Sequence, residues 1–186
     1  IRKFFDSVDH GILIDLLTGR INDPNLPYLL KQIIGSFEFR LGKGMPLGNL
    51  TSQLFANIYL DPLDKFVKHQ LKAKHYLRYA DDFLLLADNP DELMGYFVEI
   101  NCFLKSELKL SLHPNKIYLR KLSWGIDFVG YVALPRYELP RTRTVRRILN
   151  KVSKAGSETL ARSMPSYLGY LKHVNAFEIQ EELLTS

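Results

Sequence analysis

The sequence is poor in the features that mark several broad classes of protein. It has one cysteine, Cys102, in 186 residues, which excludes an internal disulfide and a cysteine-rich zinc site. No apolar run approaches the ~18 residues that a membrane helix needs. The N-terminus has no charged start followed by an apolar stretch, as a signal peptide would have. These absences predict a reduced, cytoplasmic protein that does not insert into a membrane.

The chain also lacks an initiator methionine, an internal repeat and a low-complexity tract. Its first residues, IRKFFDSVDH, are typical of the interior of a longer chain, so we expect a fragment. What it does contain is 46% hydrophobic residues and a formal charge of +5. That composition is sufficient for a core, and the basic excess is compatible with nucleic-acid binding without requiring it.

Hydrophobic spacing and turn residues predict a mixture of helices and strands. The predicted helices are Asp9–Leu17 with Asp9 as its cap, Tyr28–Phe37, Thr51–Lys72 with a kink at Pro62, and Asp91–Glu107. The predicted strands are Arg2–Val8, the hairpin of Tyr76–Tyr79 and Phe83–Ala87, two runs within Leu108–Leu122, and a pair within Trp124–Leu134. Mostly adjacent antiparallel strands favour an α+β fold with helices packed on one face of the sheet.

A change of composition at Pro135 predicts a domain boundary. Arg136–Lys154 contains seven Lys or Arg residues and follows the last predicted strands. We therefore expect one domain over residues 1–134, then a linker and a small helical lobe over residues 135–186, with its helices in Thr144–Leu184.

Asp81 and Asp82 stand side by side within the apolar stretch YLRYADDFLLLAD, residues Tyr76–Asp88. Adjacent acids can be a solvated turn, because Asp is a common turn former. Here the apolar flanks predict buried strands with both acids at a rigid tip. Two like charges repel each other unless a cation lies between them, and Mg²⁺ prefers oxygen ligands while leaving positions for phosphate. The pair therefore predicts two-metal phosphoryl transfer, provided that a third carboxylate comes from elsewhere.

Five segments around this pair resemble the motifs of reverse transcriptases, which are RNA-directed DNA polymerases. YADD resembles the catalytic hairpin, IRKFFDSVDH the first palm motif, and GMPLGNLTSQLFANIYLDPLD the template–primer motif. LKLSLHPNK resembles the next motif, which ends in a lysine, and WGIDFVGY the hairpin that grips the primer end. They occur in the family's order over Ile1–Tyr131. The resemblance implies a polymerase palm without its fingers, followed by part of a helical thumb.

The resemblance also implies a role for each matched residue. Asp81 and Asp82 would hold two Mg²⁺ ions with the main-chain carbonyl of Ile1, and the family's first catalytic Asp would immediately precede Ile1. Lys116 would protonate the leaving pyrophosphate, although a solvated turn lysine is an alternative. The matched positions for the incoming deoxynucleotide are Lys3, Phe4, Phe5, Leu47 and Gly48. Those of the primer grip are Trp124, Phe128, Gly130 and Tyr131.

Several of these positions have structural alternatives. Phe5 would be the bulky ring that excludes ribonucleotides, or an ordinary core residue beside Phe4. Asp6 and Asp9 do not align with the catalytic acid, and a turn residue and a helix cap explain them. Gly44 and Gly48 would allow close approach to the template strand, or belong to an ordinary loop.

The sequence departs from the common template–primer motif at two positions, and these departures indicate which subgroup of reverse transcriptases it resembles. Leu47 stands where many reverse transcriptases have Gln, and Gln53 where group II intron enzymes have Pro. This version resembles the enzymes of diversity-generating retroelements, although other bacterial reverse transcriptases stay open. Because Leu47 offers no hydrogen bond to an incoming nucleotide, we hypothesise looser discrimination, by about 1–2 kcal/mol.

The basic segment, with Arg141, Arg143, Arg146 and Arg147, would contact the backbone of an RNA–DNA hybrid behind the primer grip, or be a solvated face.

Three classes of function remain open from the sequence. In the first, the chain is a piece of a polymerase that uses an RNA template, a DNA primer and deoxynucleotides. Alternatively it is an RNA-binding module like a maturase, without polymerisation, or a structural domain. An RNA-templated RNA polymerase is disfavoured by Ala80 and Phe5. The sequence does not say whether an accessory protein is needed.

Overall fold

The computed structural model describes residues 1–19, 23, 25–46, 48 and 50–185. The chain divides into two compact units, Ile1–Tyr118 and Leu119–Ser186. This break precedes the predicted primer-grip hairpin, whereas the composition change had placed a boundary after it. No helix within the described ranges is long and apolar enough to cross a membrane.

The N-terminal unit is mainly helical and contains one β-hairpin. Its helices are α1 (Phe4–Ser7), α2 (His10–Thr18), α3 (Leu26–Gly35), α4 (Leu50–Lys65), a π-helix (Phe66–Gln70), α5 (Pro90–Ser106) and a 3₁₀ turn (Pro114–Lys116). The antiparallel strands β1 (His75–Tyr79) and β2 (Asp82–Leu86) pair with each other, with Tyr79 opposite Asp82.

Local signals account for where these helices begin. The Asp9 carboxylate accepts a hydrogen bond from the Ile12 amide (3.2 Å) and caps α2, as predicted. Asn89 caps α5, and Pro90 occupies its first position, where the missing amide costs nothing. The helices bury one continuous core, whose largest fully buried side chains are Leu13, Tyr59, Leu60, Leu63, Ile100, Leu104, Leu108 and Leu110.

Two predicted strand regions are wrong. Arg2–Val8 forms the single helical turn α1, closed by a hydrogen bond from the Val8 amide to the Phe4 carbonyl (3.2 Å). Leu108–Leu122 contains the 3₁₀ turn and no strand. Leu108 and Leu110 alternate as in a strand, but both are buried against the end of α5, where the Leu110 amide bonds to the Leu104 carbonyl (2.8 Å). Alternation shows burial, and it does not supply a strand partner.

The predicted long helix is present with a different ending. The α-helical part runs through Pro62 to Lys65, and the next residues, Phe66–Gln70, are π-helical. Pro62 has no amide to donate to the preceding turn, which weakens the ladder just before this change.

The C-terminal unit combines a small sheet with three helices. After a 3₁₀ turn (Leu122–Trp124) come β3 (Ile126–Phe128), β4 (Tyr131–Ala133) and β5 (Glu138–Pro140), which form an antiparallel sheet in that order. The helices are α6 (Thr142–Val152), α7 (Ser157–Leu171) and α8 (Phe177–Thr185). The β3–β4 pair confirms the prediction for Trp124–Leu134. The predicted linker contains β5, because pairing with β4 satisfies its backbone.

Candidate active site

The β1–β2 hairpin presents Asp81 and Asp82 at its tip, as the sequence predicts. Ala80 and Asp81 form the two-residue turn, and Asp82 is the first residue of β2. Ala80 has φ 50°, the left-handed conformation that the usual two-residue hairpin turns require at their first position. The Asp81 side chain is 32% exposed and Asp82 is exposed, so both carboxylates are accessible from solvent.

The expectation that the strands flanking the two acids are buried holds for one face of the hairpin only. Tyr76, Phe83 and Leu85 pack against the core, whereas Leu77 is 55% exposed. Side chains alternate between the two faces of a strand, and the described core covers only one of them.

The start of the chain lies beside the hairpin tip. The Ile1 nitrogen donates to the Asp81 carbonyl (3.2 Å) and lies 3.9 Å from Asp81 Oδ2, although the two residues are 80 positions apart. The next residue, Arg2, donates its amide to the Ser111 carbonyl (2.9 Å). Three motifs that are far apart in the sequence therefore meet here.

A network that the sequence analysis missed fixes the hairpin against α4. Arg78 Nε and Nη2 donate to the two carboxylate oxygens of Asp64 (2.8 and 2.6 Å), and the Tyr76 hydroxyl donates to Asp64 Oδ1 (2.7 Å). Arg78 Nη1 reaches the Ala80 carbonyl in the turn (2.8 Å) and Asn57 Oδ1 (3.3 Å). Burial and the bond to Asp64 raise the pKa of Tyr76 well above its usual range, so it stays a neutral donor. The fork geometry orients the tip.

The predicted nucleotide-binding turn is held between the core and the glycine-rich loop, whose sequence is LGKGMPLGNL (residues 41–50). Phe4 is buried, and its ring packs edge-on against Phe5 (centroids 5.3 Å apart) and Tyr59 (6.2 Å). Phe5 is half-buried, and its carbonyl accepts the Met45 amide (2.8 Å). Phe4 therefore belongs to the core, and Phe5 lies at its edge. Both residues are in one helical turn, not on opposite faces of a strand.

Hydrogen bonds and close packing fix Gly44 within the glycine-rich loop. The Gly44 amide donates to the Val8 carbonyl (2.8 Å), and His10 Nε2 donates to the Gly44 carbonyl (2.8 Å). Gly44 has φ 116°, and a Cβ there would lie 2.9 Å from the Phe39 amide nitrogen. Gly48 has φ 86° and is exposed. Leu47 lies outside the described residues.

A second buried contact links this region to the end of α5. The Tyr59 hydroxyl donates to the Leu108 carbonyl (2.8 Å) and accepts from the Asp9 amide (3.2 Å). Burial raises the pKa of Tyr59 to about 12. Burial of Asp9 opposes its ionisation, but the hydrogen bonds from Lys109 (2.8 Å) and Ile12 outweigh it, and the pKa of Asp9 is lowered. Asp9 is therefore an occupied structural acid rather than a substitute catalytic one.

Two parts of the expected site have the least support among the described residues. They are the role of Lys116 as a general acid and a complete set of metal-binding side chains. Lys116 is exposed at the end of the 3₁₀ turn. Within the described ranges, no group of three or more His, Cys, Asp or Glu side chains is arranged to hold a metal ion. Asp81 and Asp82 supply two carboxylates, which is the number that Mg²⁺ commonly takes from a protein. These oxygen donors fit the ion, and a full site needs a ligand from outside them.

The predicted primer-grip residues lie in the C-terminal unit. Trp124 is 66% exposed, in the 3₁₀ turn before β3. Tyr131 stacks on Tyr170 (4.9 Å), and the Tyr170 hydroxyl donates to the Gly130 carbonyl (2.7 Å). These contacts fix the β3–β4 turn, in which Val129 (φ 51°) and Gly130 (φ 93°) are both left-handed.

The predicted backbone-binding arginines separate into two groups. Arg141 forms an ion pair with Asp127 through its Nε (2.8 Å) and Nη2 atoms, so its charge is already compensated. The other cations of α6 and of the turn after it are exposed, and their spacing, three or four residues apart from the adjacent pair Arg146 and Arg147, places them on one helical face. They are Arg143, Arg146, Arg147, Lys151 and Lys154. Ile148 and Val152 bury the opposite face.

Comparisons with known proteins agree with this arrangement of motifs. The family model described as "Reverse transcriptase (RNA-dependent DNA polymerase)" matches residues 1–133. The chain is 25% identical to the Lactococcus lactis group II intron-encoded protein LtrA over 79% of its own length and 35% of that protein. It is 21% identical to the Saccharomyces cerevisiae putative COX1/OXI3 intron 2 protein over 70% of this chain and 23% of that one.

Protein YkfC of Escherichia coli is a further relative, 23% identical over 89% of this chain and 49% of its own length. The chain thus spans less than half of the length of each of these curated relatives. The matching model covers well over half of the chain, including the hairpin tip, the Phe4–Ser7 turn and the glycine-rich loop. The chain therefore belongs to the reverse transcriptase (RNA-dependent DNA polymerase) family.

Proposed function

We propose that the whole protein is an RNA-directed DNA polymerase that extends a DNA primer on an RNA template, with its reaction centre at the Asp81–Asp82 tip. The observation that carries the proposal is the contact between Ile1 and Asp81, which joins the first palm motif to the hairpin. A residue joined to the Ile1 nitrogen would begin beside Asp81. In this proposal, that residue supplies the third carboxylate.

The residues of this chain would position the substrates. Asp81 and Asp82 would hold Mg²⁺ together with the Ile1 carbonyl, and the ions would activate the primer hydroxyl and stabilise the leaving pyrophosphate. Phe5, backed edge-on by the buried Phe4, would lie under the sugar and exclude a 2′-hydroxyl. The amides of Lys3 and Phe4 precede or begin α1, where backbone donors have no helical partner, and they would face the triphosphate. Lys116 would serve as the general acid.

Primer extension by the full-length protein tests the proposal. We expect extension with Mg²⁺ and deoxynucleotides, and a loss of at least about 10³-fold in the Asp81→Asn, Asp82→Asn variant, because both metal carboxylates are removed. Asp88→Asn, an exposed acid just after β2, is the matched control and should keep its rate. We also expect no extension by the 186-residue chain alone. Equal activity of the paired variant and the control would refute the proposed site.

The cationic face of α6 favours one alternative, an RNA- or hybrid-binding module like a maturase. Its exposed cations have no acid within α6 to neutralise them, and such a stripe suits a phosphate backbone. Filter binding of an RNA–DNA hybrid without Mg²⁺ separates the two functions. Retained hybrid binding with no extension by the full-length protein would favour the module, whereas both activities together favour the polymerase.

A further inference from the structure

A buried histidine at the start of α2 holds one peptide of the glycine-rich loop. His10 is only 8% exposed, and its Nε2 lies 2.8 Å from the Gly44 carbonyl oxygen. A carbonyl oxygen can only accept a hydrogen bond, so Nε2 carries the proton and donates it. On the other side of the ring, Nδ1 lies 3.9 Å from Glu38 Oε1, which is too long for a direct hydrogen bond. The bond to Gly44 therefore orients the ring.

The peptide that His10 holds is also bound to the backbone of Phe5. The Gly44 carbonyl and the Met45 amide belong to the same planar peptide unit. His10 donates to the oxygen of this unit, and its nitrogen donates to the Phe5 carbonyl (2.8 Å). One rigid group thus connects the His10 ring to Phe5. If the donor at the oxygen is lost, the unit can rotate, and the bond to Phe5 then changes its direction or its length.

The surroundings of this peptide keep it in one orientation. Gly44 and Met45 are both buried, so no water replaces a missing donor at the carbonyl, and its desolvation is then uncompensated. Gly44 has φ 116°, which residues with a side chain rarely adopt, and a Cβ there would lie 2.9 Å from the Phe39 amide nitrogen. The buried donor and the glycine backbone are two separate observations that indicate a fixed peptide.

We propose that His10 is a positioning residue that helps to discriminate deoxynucleotides from ribonucleotides. It acts through the Gly44–Met45 peptide on the backbone of Phe5, whose half-buried ring is the proposed gate. This use rests on the proposed function, because it requires Phe5 to lie under the sugar of the incoming nucleotide. A gate excludes a 2′-hydroxyl by direct contact, so a small shift of its backbone relaxes the exclusion. A histidine that only stabilises the core would not affect which sugar is accepted.

Amide hydrogen exchange in the 186-residue protein tests the link between His10 and the peptide. Asn is too short to reach the Gly44 carbonyl, whereas Gln can place an amide nitrogen near the position of Nε2. Relative to the Leu60 amide in the middle of α4, we expect the Met45 amide to exchange at least about fivefold faster in His10→Asn, because one buried hydrogen bond is lost. His10→Gln should exchange as the wild type does.

A matched variant separates this link from a general loss of stability. Asn89→Ala removes the cap of α5, which lowers the stability of the same unit. It should leave the Met45 amide unchanged relative to Leu60. Circular dichroism checks that each variant is folded, and His10→Leu, which fills the site without a donor, replaces His10→Asn if that variant unfolds. Equal relative exchange of Met45 in the wild type and the variant without a donor overturns the proposal.

Primer extension by the full-length protein tests the effect on selectivity. The quantity measured is kcat/KM for a deoxynucleotide divided by kcat/KM for the matching ribonucleotide. We expect this ratio to fall at least about fivefold in His10→Asn and to keep its wild-type value in His10→Gln and Asn89→Ala. In Phe5→Ala, where the gate is already gone, adding His10→Asn should cause no further fall, because both residues act through one contact.

The outcomes separate this proposal from the proposed function. An unchanged ratio in an active His10→Asn enzyme overturns the proposal and leaves His10 as a stabilising core residue. A further fall on adding His10→Asn to Phe5→Ala overturns the route through Phe5. If the wild-type protein extends no primer, the proposed function is refuted, and with it this use of His10. That failure is visible in the wild-type rate before any variant is compared.

Discussion

Replacing Asp64 by Asn should loosen the attachment of the β1–β2 hairpin to α4. Asp64 accepts hydrogen bonds from the Tyr76 hydroxyl and from two nitrogens of Arg78. The Arg78 side chain is only 11% exposed, so its guanidinium would remain largely buried without a counter-charge. Asn keeps one carbonyl oxygen and nearly the same shape, which confines the change to charge and one forked bond.

The expected loss is about 2 kcal/mol of the free energy of unfolding. Removing one partner from a fully buried ion pair costs about 3–5 kcal/mol. Here the Asp64 side chain is 32% exposed, so water replaces part of the interaction and the lower figure follows. Arg78→Lys keeps the charge and loses the fork, and we expect about half of that effect.

Urea unfolding, followed by circular dichroism, and hydrogen exchange of the β1 and β2 amides measure this change. Glu99→Gln, an exposed acid on α5, is the matched control and should stay within about 0.5 kcal/mol of wild type. Exchange in β1 and β2 should accelerate about 30-fold in Asp64→Asn if the hairpin opens with the unit. If Asp64→Asn and Glu99→Gln unfold at the same urea concentration, the network does not stabilise the tip and this reasoning is refuted.

Two further predictions concern the loop and the core. Gly44→Ala should lower the free energy of unfolding by more than about 2 kcal/mol, since its Cβ would lie 2.9 Å from the Phe39 backbone at φ 116°. Gly48→Ala, with open space around it and φ 86°, should cost only about 1 kcal/mol; equal urea midpoints would contradict the packing argument. The pKa of Tyr59 is 10.0 in the unfolded chain and about 12 in the folded protein. The contribution of the neutral Tyr59 to the free energy of unfolding is therefore fully present below pH 10, and it is lost at ~1.4 kcal/mol per pH unit from pH 10 to pH 12. Tyr59→Phe should unfold about 1–2 kcal/mol more easily at pH 7, because the Leu108 carbonyl loses its donor, and should show a smaller alkaline loss in pH-dependent urea melts. An unchanged alkaline slope would show that Tyr59 is not the titrating group.

The elements that the sequence predicts well are those with signals inside the element itself. Asp9 and Asn89 cap their helices through bonds to amides two or three residues away, and the Ala80–Asp81 turn separates two apolar runs. The strand prediction for Leu108–Leu122 was wrong because its alternation records burial against α5. That for Arg2–Val8 was wrong although its buried residues, Phe4 and Val8, are four positions apart, as in a helix. A strand needs a partner, and no local residue shows whether one is present.

The candidate site follows the same division. The sequence alone selected the residues that we propose as metal ligands, gate and phosphate contacts, since these proposed roles depend on side-chain chemistry and on motifs in a fixed order. Only the tertiary structure decided that Ile1 meets Asp81 and that Asp64 holds Arg78. Such contacts join residues far apart in the chain, and their geometry is set by how the helices and the hairpin pack on a shared core.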